Sequence, residues 1–274
     1  MDKSRVKNFI ILLLLTVNIV FLALWVIDSR ESARLKSEMN ENIRLMLNDC
    51  GVNVSDDVNL LCEPLSTRVY YRDLETEENN VDSILGKSTV DDRGGNIYAY
   101  AGETGYGVFR GGGDFELSFE AEGYRVSGSY VSACSAIIKK LGMTSDMDMD
   151  VRYLDDGSVV IDAVCKVEGA NVYNCHVSFA FADNQLLSVS GIRVFDVSER
   201  GSNEKGKDSA TAISYFAKSV FDGEIKVESL NGLQCGYIQT VTVSGECILT
   251  PTWKFSTDTG DYYINALTGR LQIF

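Results

Sequence analysis

The chain has 274 residues, 25 basic and 39 acidic, with a formal net charge of −14. An acidic surface of this kind repels nucleic acid and anionic lipid headgroups, so neither a nucleic-acid partner nor a domain lying flat on a membrane is expected. Two prolines leave no Pro-rich stalk, and a single histidine leaves little general-base chemistry.

Residues 1–7 form a short tail in which Lys3, Arg5 and Lys7 face only Asp2. Residues 8–27 then contain no charged side chain. A bilayer core about 30 Å thick needs ~20 residues at ~1.5 Å rise each, so this run predicts a transmembrane helix. The positive-inside rule keeps the tail in the cytoplasm and sends the remainder outside. Trp25 stands near the far end, where an indole suits the headgroup interface. The run is longer than a signal-peptide core, no A-x-A site follows it, and the first cysteine is Cys50, so an uncleaved anchor is favoured. With the tail set aside (Asp2, Lys3, Arg5, Lys7), 22 basic and 38 acidic residues remain, a net −16.

Asn18 lies near the middle of the run. An amide in hydrocarbon wants a partner, and an interhelical hydrogen bond there contributes about 1 kcal/mol. Leu14, Leu15, Phe21, Leu22 and Trp25 share its face at helical spacing and complete a candidate partner-binding stripe. The alternative is a single tolerated amide with no partner.

Residues 28–50 read as a membrane-proximal helix, with Leu35, Met39, Ile43, Met46, Leu47 and Cys50 at three-to-four spacing and Gly51 as its stop. Residues 51–125 read as an extracytoplasmic α+β region. It has a β-prone stretch at 67–74, a short helix at 77–86 with Val81, Ile84 and Leu85 inward, and glycine-punctuated strands over 94–119. An internal repeat follows. In 126–197 an amphipathic helix at 129–142 precedes strands near 148–154, 158–168, 172–182 and 186–196. A linker at 198–207 leads to 208–274, where a second helix at 208–222 precedes strands near 224–230, 234–243, 246–256, 261–265 and 270–273. Asp156-Gly157 and Ser244-Gly245 are hairpin turn signals.

A helix laid across an antiparallel sheet buries one face of each. The predicted fold class is α+β: a transmembrane helix, then repeated helix-plus-antiparallel-sheet units that resemble cystatin-like or PepSY-like domains.

Seven cysteines occur, an odd number that leaves at least one unpaired in an exported domain. Cys165 and Cys175 flank the hairpin turn at 168–171 and form the favoured disulfide. The equal alternative is that they are small buried hydrophobes. There is no C-x-x-C, G-x-S-x-G or H-E-x-x-H motif. His176 sits in an alternating stretch with no carboxylate pattern around it. Gly86-Lys87-Ser88 imitates the end of a phosphate loop, but Val81 stands where the first glycine belongs. Asp146, Asp148 and Asp150 alternate without the glycine and closing glutamate of a calcium loop. The glycines at 102–107 and 111–113 precede no helix and read as turns. No catalytic residue, metal or cofactor is expected, and the chain reads as a non-enzyme.

Two segments carry a resemblance. The start, MDKSRVKNFIILLLLTVNIVFL, with Met1, Asp2, Arg5, Lys7 and Asn18, resembles the YycI family of membrane-anchored regulators. The close, WKFSTDTGDYYINALTGRLQIF from Trp253 to Phe274, resembles the final hairpin of that family, most specifically over Tyr262, Tyr263, Ile264, Asn265, Ala266, Leu267, Thr268 and Gly269. PepSY-like domains end similarly. The resemblance implies a single-pass regulator of an essential two-component system governing cell-wall metabolism in Gram-positive cells. It further implies two partners, a YycH-like membrane protein and a WalK (YycG)-type sensor histidine kinase, reached through transmembrane and outer-domain contacts. The competing expectation is a PepSY-like extracytoplasmic module that inhibits a protease or senses a peptide or wall fragment.

Overall fold

The structure is a computed structural model that describes residues 3–144, 147–194 and 204–272; some side chains between residues 3 and 32 also lie outside the description. The first elements are α1 (Lys3–Asp49), β1 (Asn53–Val54), β2 (Arg68–Tyr71), α2 (Leu74–Leu85), β3 (Thr89–Asp92), β4 (Ile97–Ala101), β5 (Gly105–Arg110) and β6 (Asp114–Phe119). A second group comprises α3 (Tyr130–Lys140), β7 (Asp148–Tyr153), β8 (Val159–Val167), β9 (Ala170–Ala182) and β10 (Gln185–Ile192). The last comprises α4 (Ser209–Phe221), β11 (Ser229–Val241), β12 (Glu246–Thr257), β13 (Asp261–Asn265) and β14 (Leu271–Gln272). The protein is α+β, with a large mixed sheet and few helices.

Local chemistry sets the helix boundaries. Asp73 Oδ1 accepts from Glu75 N at the start of α2. Ser129 Oγ accepts from Ser132 N at the start of α3, and Asp208 Oδ1 accepts from Thr211 N at 2.8 Å at the start of α4. Each cap satisfies an N–H that the first helical turn leaves without a partner. The β8–β9 hairpin turns on Glu168 and Gly169, at φ 50° and 80°, and the β9–β10 hairpin on Asp183 and Asn184, at φ 50° and 60°. Two consecutive positive φ values give a primed turn, whose twist matches the strands it joins.

β7, β8, β9 and β10 form an antiparallel meander after α3, and β11, β12, β13 and β14 form another after α4. β6, β5, β4 and β3 extend the first meander beyond β10, since β6 pairs with β10 from Ser188↔Ser118 to Ile192↔Asp114. β1 and β2 join the second, beside β11 and β12. The two meanders meet at one parallel bridge, Tyr237↔Val172.

Two cores follow from this layout. In the first, Val81, Ile84 and Leu85 of α2 and Cys134, Ile137 and Ile138 of α3 cover the inward residues of β8, β9 and β10. In the second, Ile213 and Phe216 of α4 cover Trp253, Phe255 and Ile264, and Phe216 stacks on Phe255 at 4.4 Å between centroids. Full burial of such a side chain contributes about 1.5–3 kcal/mol.

Three elements differ from the sequence expectation. Of the strand expected at 224–230 only Ser229 and Leu230 are strand, and they run on into the one expected at 234–243 as a single β11. Asn231 and Gly232 look like a break, but pairing with β12 absorbs them as a register shift between Leu230 and Gly232. β3 carries no apolar alternation because all four of its residues are exposed at the sheet edge. α2 starts earlier than residue 77, at the Asp73 cap.

α1 includes the apolar run at 8–27. Among the described residues no helix is long and apolar enough to cross a membrane. Much of the run, Leu15 included, has side chains outside the description, so the expected transmembrane span falls largely there.

Candidate functional site

Three places gather side chains that could act: the stem of α1, a buried ionic cluster around α2, and a cleft where the two meanders meet.

At the stem, α1 ends inside the second core. Ile43 and Leu47 are buried against Val52, Val58 and Leu60 and join the cluster of α4. The Arg44 guanidinium donates to the carbonyls of Val54, Ser55, Asp56 and Val58 at 3.2–3.4 Å. These bonds hold the following loop under the helix. Cys62 N donates to Ser209 Oγ at 3.1 Å, which fastens the same loop to α4. Leu35 and Met39 are exposed, and with Asn42, Ile43 and Met46 they border a groove of about 470 Å³ against Ala210 and Ser214 of α4. Leu14, Asn18, Phe21, Leu22 and Trp25, the candidate stripe, are exposed as well. The Leu15 side chain lies outside the description.

The ionic cluster was missed by motif reasoning. Glu77, 2 % exposed, accepts from Arg72 Nε at 2.9 Å and Nη2 at 2.6 Å, from Arg193 Nη2, and from Tyr100 Oη at 2.8 Å. Arg72 also lies over the Tyr98 ring and Arg193 over the Phe109 ring. Burial, then the Glu77 charge, holds the Tyr100 hydroxyl well above its ordinary range. The cluster ties α2 to β4, to residue 72 after β2 and to residue 193 after β10. One signal was legible: Glu77 lies on the same helical face as Val81, Ile84 and Leu85, so a charge on that face needed a buried partner.

The cleft, about 410 Å³, opens between β9, β11 and the loop after β1. Lys166 Nζ and Asp148 Oδ1 pair across one wall at 3.0 Å. Tyr173 packs on Tyr263 at 5.1 Å between centroids, and its hydroxyl donates to Gln234 O at 3.3 Å. Cys62 and Cys235 stand on the other side. Desolvation raises both thiols, Cys235 to about 11. Both are therefore protonated at neutral pH and are weak nucleophiles and weak metal ligands there.

The expected Cys165–Cys175 pair consists of free thiols. Both side chains point into the first core. Cys175 Sγ donates to Gln239 Oε1 at 3.1 Å and Cys165 Sγ to Ile192 O at 3.5 Å. Burial pushes Cys165 up to about 12 and Cys175 further. Cys165 occupies the shift between Val164 and Lys166, which takes it out of direct opposition across the hairpin. The other candidates stay apart. His176 is exposed on β9, with Nε2 3.0 Å from Tyr173 O. Gly86 caps α2, and Ser88 donates to Asp82 Oδ1, so this segment is a helix end and not a phosphate loop. Asp148 and Asp150 face outward along β7, and Asp146 lies outside the described residues. Among the described residues no three His, Cys, Asp or Glu side chains could hold a metal ion together.

No protein-family model and no curated protein matches the chain. Among solved structures, an uncharacterized protein from Eubacterium rectale is similar over 81% of this chain and 90% of its own, at 11% identity and a TM-score of 0.49. The C-terminal domain of YpeB from Bacillus megaterium is similar over 74% of this chain and 96% of its own, at 12% identity and a TM-score of 0.34. Neither likeness assigns an activity or a partner, and neither bears on the YycI resemblance of the two chain ends.

Proposed function

We propose that this chain is a non-enzymatic, single-pass membrane protein that regulates a sensor histidine kinase controlling cell-wall metabolism, with a YycH-like membrane protein as a second partner. Residues 8–27 span the bilayer, the tail is cytoplasmic, and the α+β domain is extracytoplasmic. Its two helix-and-meander units are PepSY-like. The observation that carries this reading is the continuity of α1. One helix bears the apolar run and also buries Ile43 and Leu47 in the second core. A displacement of the outer domain therefore moves the membrane segment with it. The resemblance of both chain ends to the YycI family adds the identity of the partners.

Asn18→Leu tests the membrane contact. Loss of an interhelical hydrogen bond of about 1 kcal/mol weakens association with the kinase helix about fivefold. A membrane two-hybrid assay reads this, with export and protein level unchanged. Unaltered association would count against the proposal.

The cleft favours a second reading, a PepSY-like extracytoplasmic module that holds a peptide or wall fragment, or inhibits a protease. On that reading, residues 28–274 would act without their anchor. Full activity of that fragment in a cell lacking the whole chain would select it.

A further inference from the structure

We infer that the cleft between β9 and β11 holds a short, uncharged peptide in extended form, laid as an added strand against β11, with the side-chain amide of Asn171 gripping its backbone. The strand edge comes first. β1 pairs with Ser229 and Leu230 of β11, and β9 pairs with Tyr237. Between those points, among the described residues, β11 has β12 on one side and no strand on the other. Leu233, Gln234 and Cys235 of this stretch line the cleft. An open strand edge offers main-chain hydrogen bonds to an extended peptide, and a peptide rising ~3.3 Å per residue matches these three residues one for one.

Asn171 supplies the grip. It lines the cleft from β9, and its Oδ1 is buried without a hydrogen-bond partner. Such an atom costs free energy until a donor reaches it. No hydrogen bond holds that oxygen, so the amide can turn about Cβ–Cγ and present its polar atoms to an occupant. The same strand shows what such an amide does. Asn174 Oδ1 accepts from Gln239 N and Asn174 Nδ2 donates to Gln239 O, both at 2.8 Å. One side-chain amide there holds the N–H and the C=O of a single β11 residue, and Asn171 offers the same two atoms to an incoming backbone. Charge sets the class of ligand. The charged side chains lining the cleft are Glu63, Asp148 and Lys166. Asp148 pairs with Lys166 at 3.0 Å, and Glu63 lies 3.8 Å from Lys205 Nζ. These charges cancel, which favours a neutral occupant, while Leu65, Leu233 and Tyr173 offer it apolar contact.

This site deepens the second reading of the cleft and rests on it, whereas kinase regulation does not depend on it. Cys62 and Cys235 line the cleft and Cys50 does not, so the thiols report occupancy. The full chain in detergent micelles is alkylated with iodoacetamide over a concentration series of N-acetyl-trialanine amide. At ten times its dissociation constant the peptide should slow labelling of Cys62 and Cys235 about tenfold and leave Cys50 unchanged. Asn171→Leu should weaken binding about tenfold, with Cys134, Cys165 and Cys175 still shielded as in the parent. A backbone N-methylated peptide, whose N–H donors are blocked, should not protect. Protection that survives either change, or no protection by the unmodified peptide at any concentration, overturns the inference. Protection by N-acetylglucosamine in place of the peptide would overturn it and leave the cleft a wall-fragment site. No protection by either probe would remove the second reading of the cleft as well.

Discussion

Glu77 shows how a single carboxylate organises a region. It faces two guanidinium groups and a phenol beneath α2, so its removal leaves like charges buried together. Breaking a buried pair in this way costs about 3–5 kcal/mol. Glu77→Gln should lower the unfolding midpoint of the full chain in a urea titration, while Glu75→Gln, on the exposed side of the same helix, should leave it unchanged. Equal midpoints would remove the cluster from any account of stability. Asp208 works differently. The Thr211 hydrogen bonds at the α4 cap hold its carboxyl below the ordinary range. A depressed folded pKa contributes stability that is present above the unfolded value and lost as pH falls through the folded one, so this contribution fades below about pH 4. Asp208→Ala should cost about 1 kcal/mol at pH 7 and progressively less as pH falls below the ordinary carboxylate range and through the lowered folded value. The thiols add a chemical readout. Cys134, Cys165, Cys175 and Cys247 are buried, whereas Cys50, Cys62 and Cys235 are partly exposed. Brief alkylation of the native chain, read by peptide mass spectrometry, should label the last three and spare the first four. A recovered Cys165–Cys175 disulfide peptide would contradict the free-thiol arrangement.

Between elements, the seam of β9 and β11 leaves no room for a side chain at Gly236. A Cβ added at Gly236 would lie 2.5 Å from the Asn171 carbonyl oxygen and 2.6 Å from the Tyr173 ring. Neither can yield without shifting the backbone of β9 or lifting Tyr173 from Tyr263. Gly236→Ala should therefore cost about 1–3 kcal/mol and loosen the cleft wall, as hydrogen exchange of β9 and β11 amides would report. Protection equal to the parent would show that the strands separate without penalty. The same seam explains why periodicity alone could not order the strands. Caps and primed turns mark where α3, α4 and the hairpins begin and end, because those choices involve neighbours a few residues apart. The pairing of β6 with β10, and of β2 with β12, joins segments far apart in sequence, and nothing local specifies it.

For the whole molecule, the stiffness of α1 is the property on which regulation would depend. Ser37→Pro, on an exposed turn between the run and the stem, removes a helical hydrogen bond at a cost of about 3 kcal/mol and kinks the helix. Kinase autophosphorylation in reconstituted membranes should lose its dependence on this protein, while the chain is still exported. Regulation that persists undiminished would mean the outer domain acts without the stem.

The apolar run, the hairpin turns and the amphipathic helices could be read directly from the chain, whereas the Asp73 cap that starts α2 was not. Each is set by spacings of two to four residues or by a continuous twenty-residue transfer energy. The candidate sites were legible only in part. Asn18 stands out because a polar group in an apolar run is visible without coordinates, and Cys165 and Cys175 stand out because a turn separates them. Their free-thiol state came from the register shift at Cys165, the ionic cluster from the convergence of residues 72, 77, 100 and 193, and the cleft from the meeting of the two meanders. Those arrangements depend on long-range strand pairing and burial, which only the closed fold supplies.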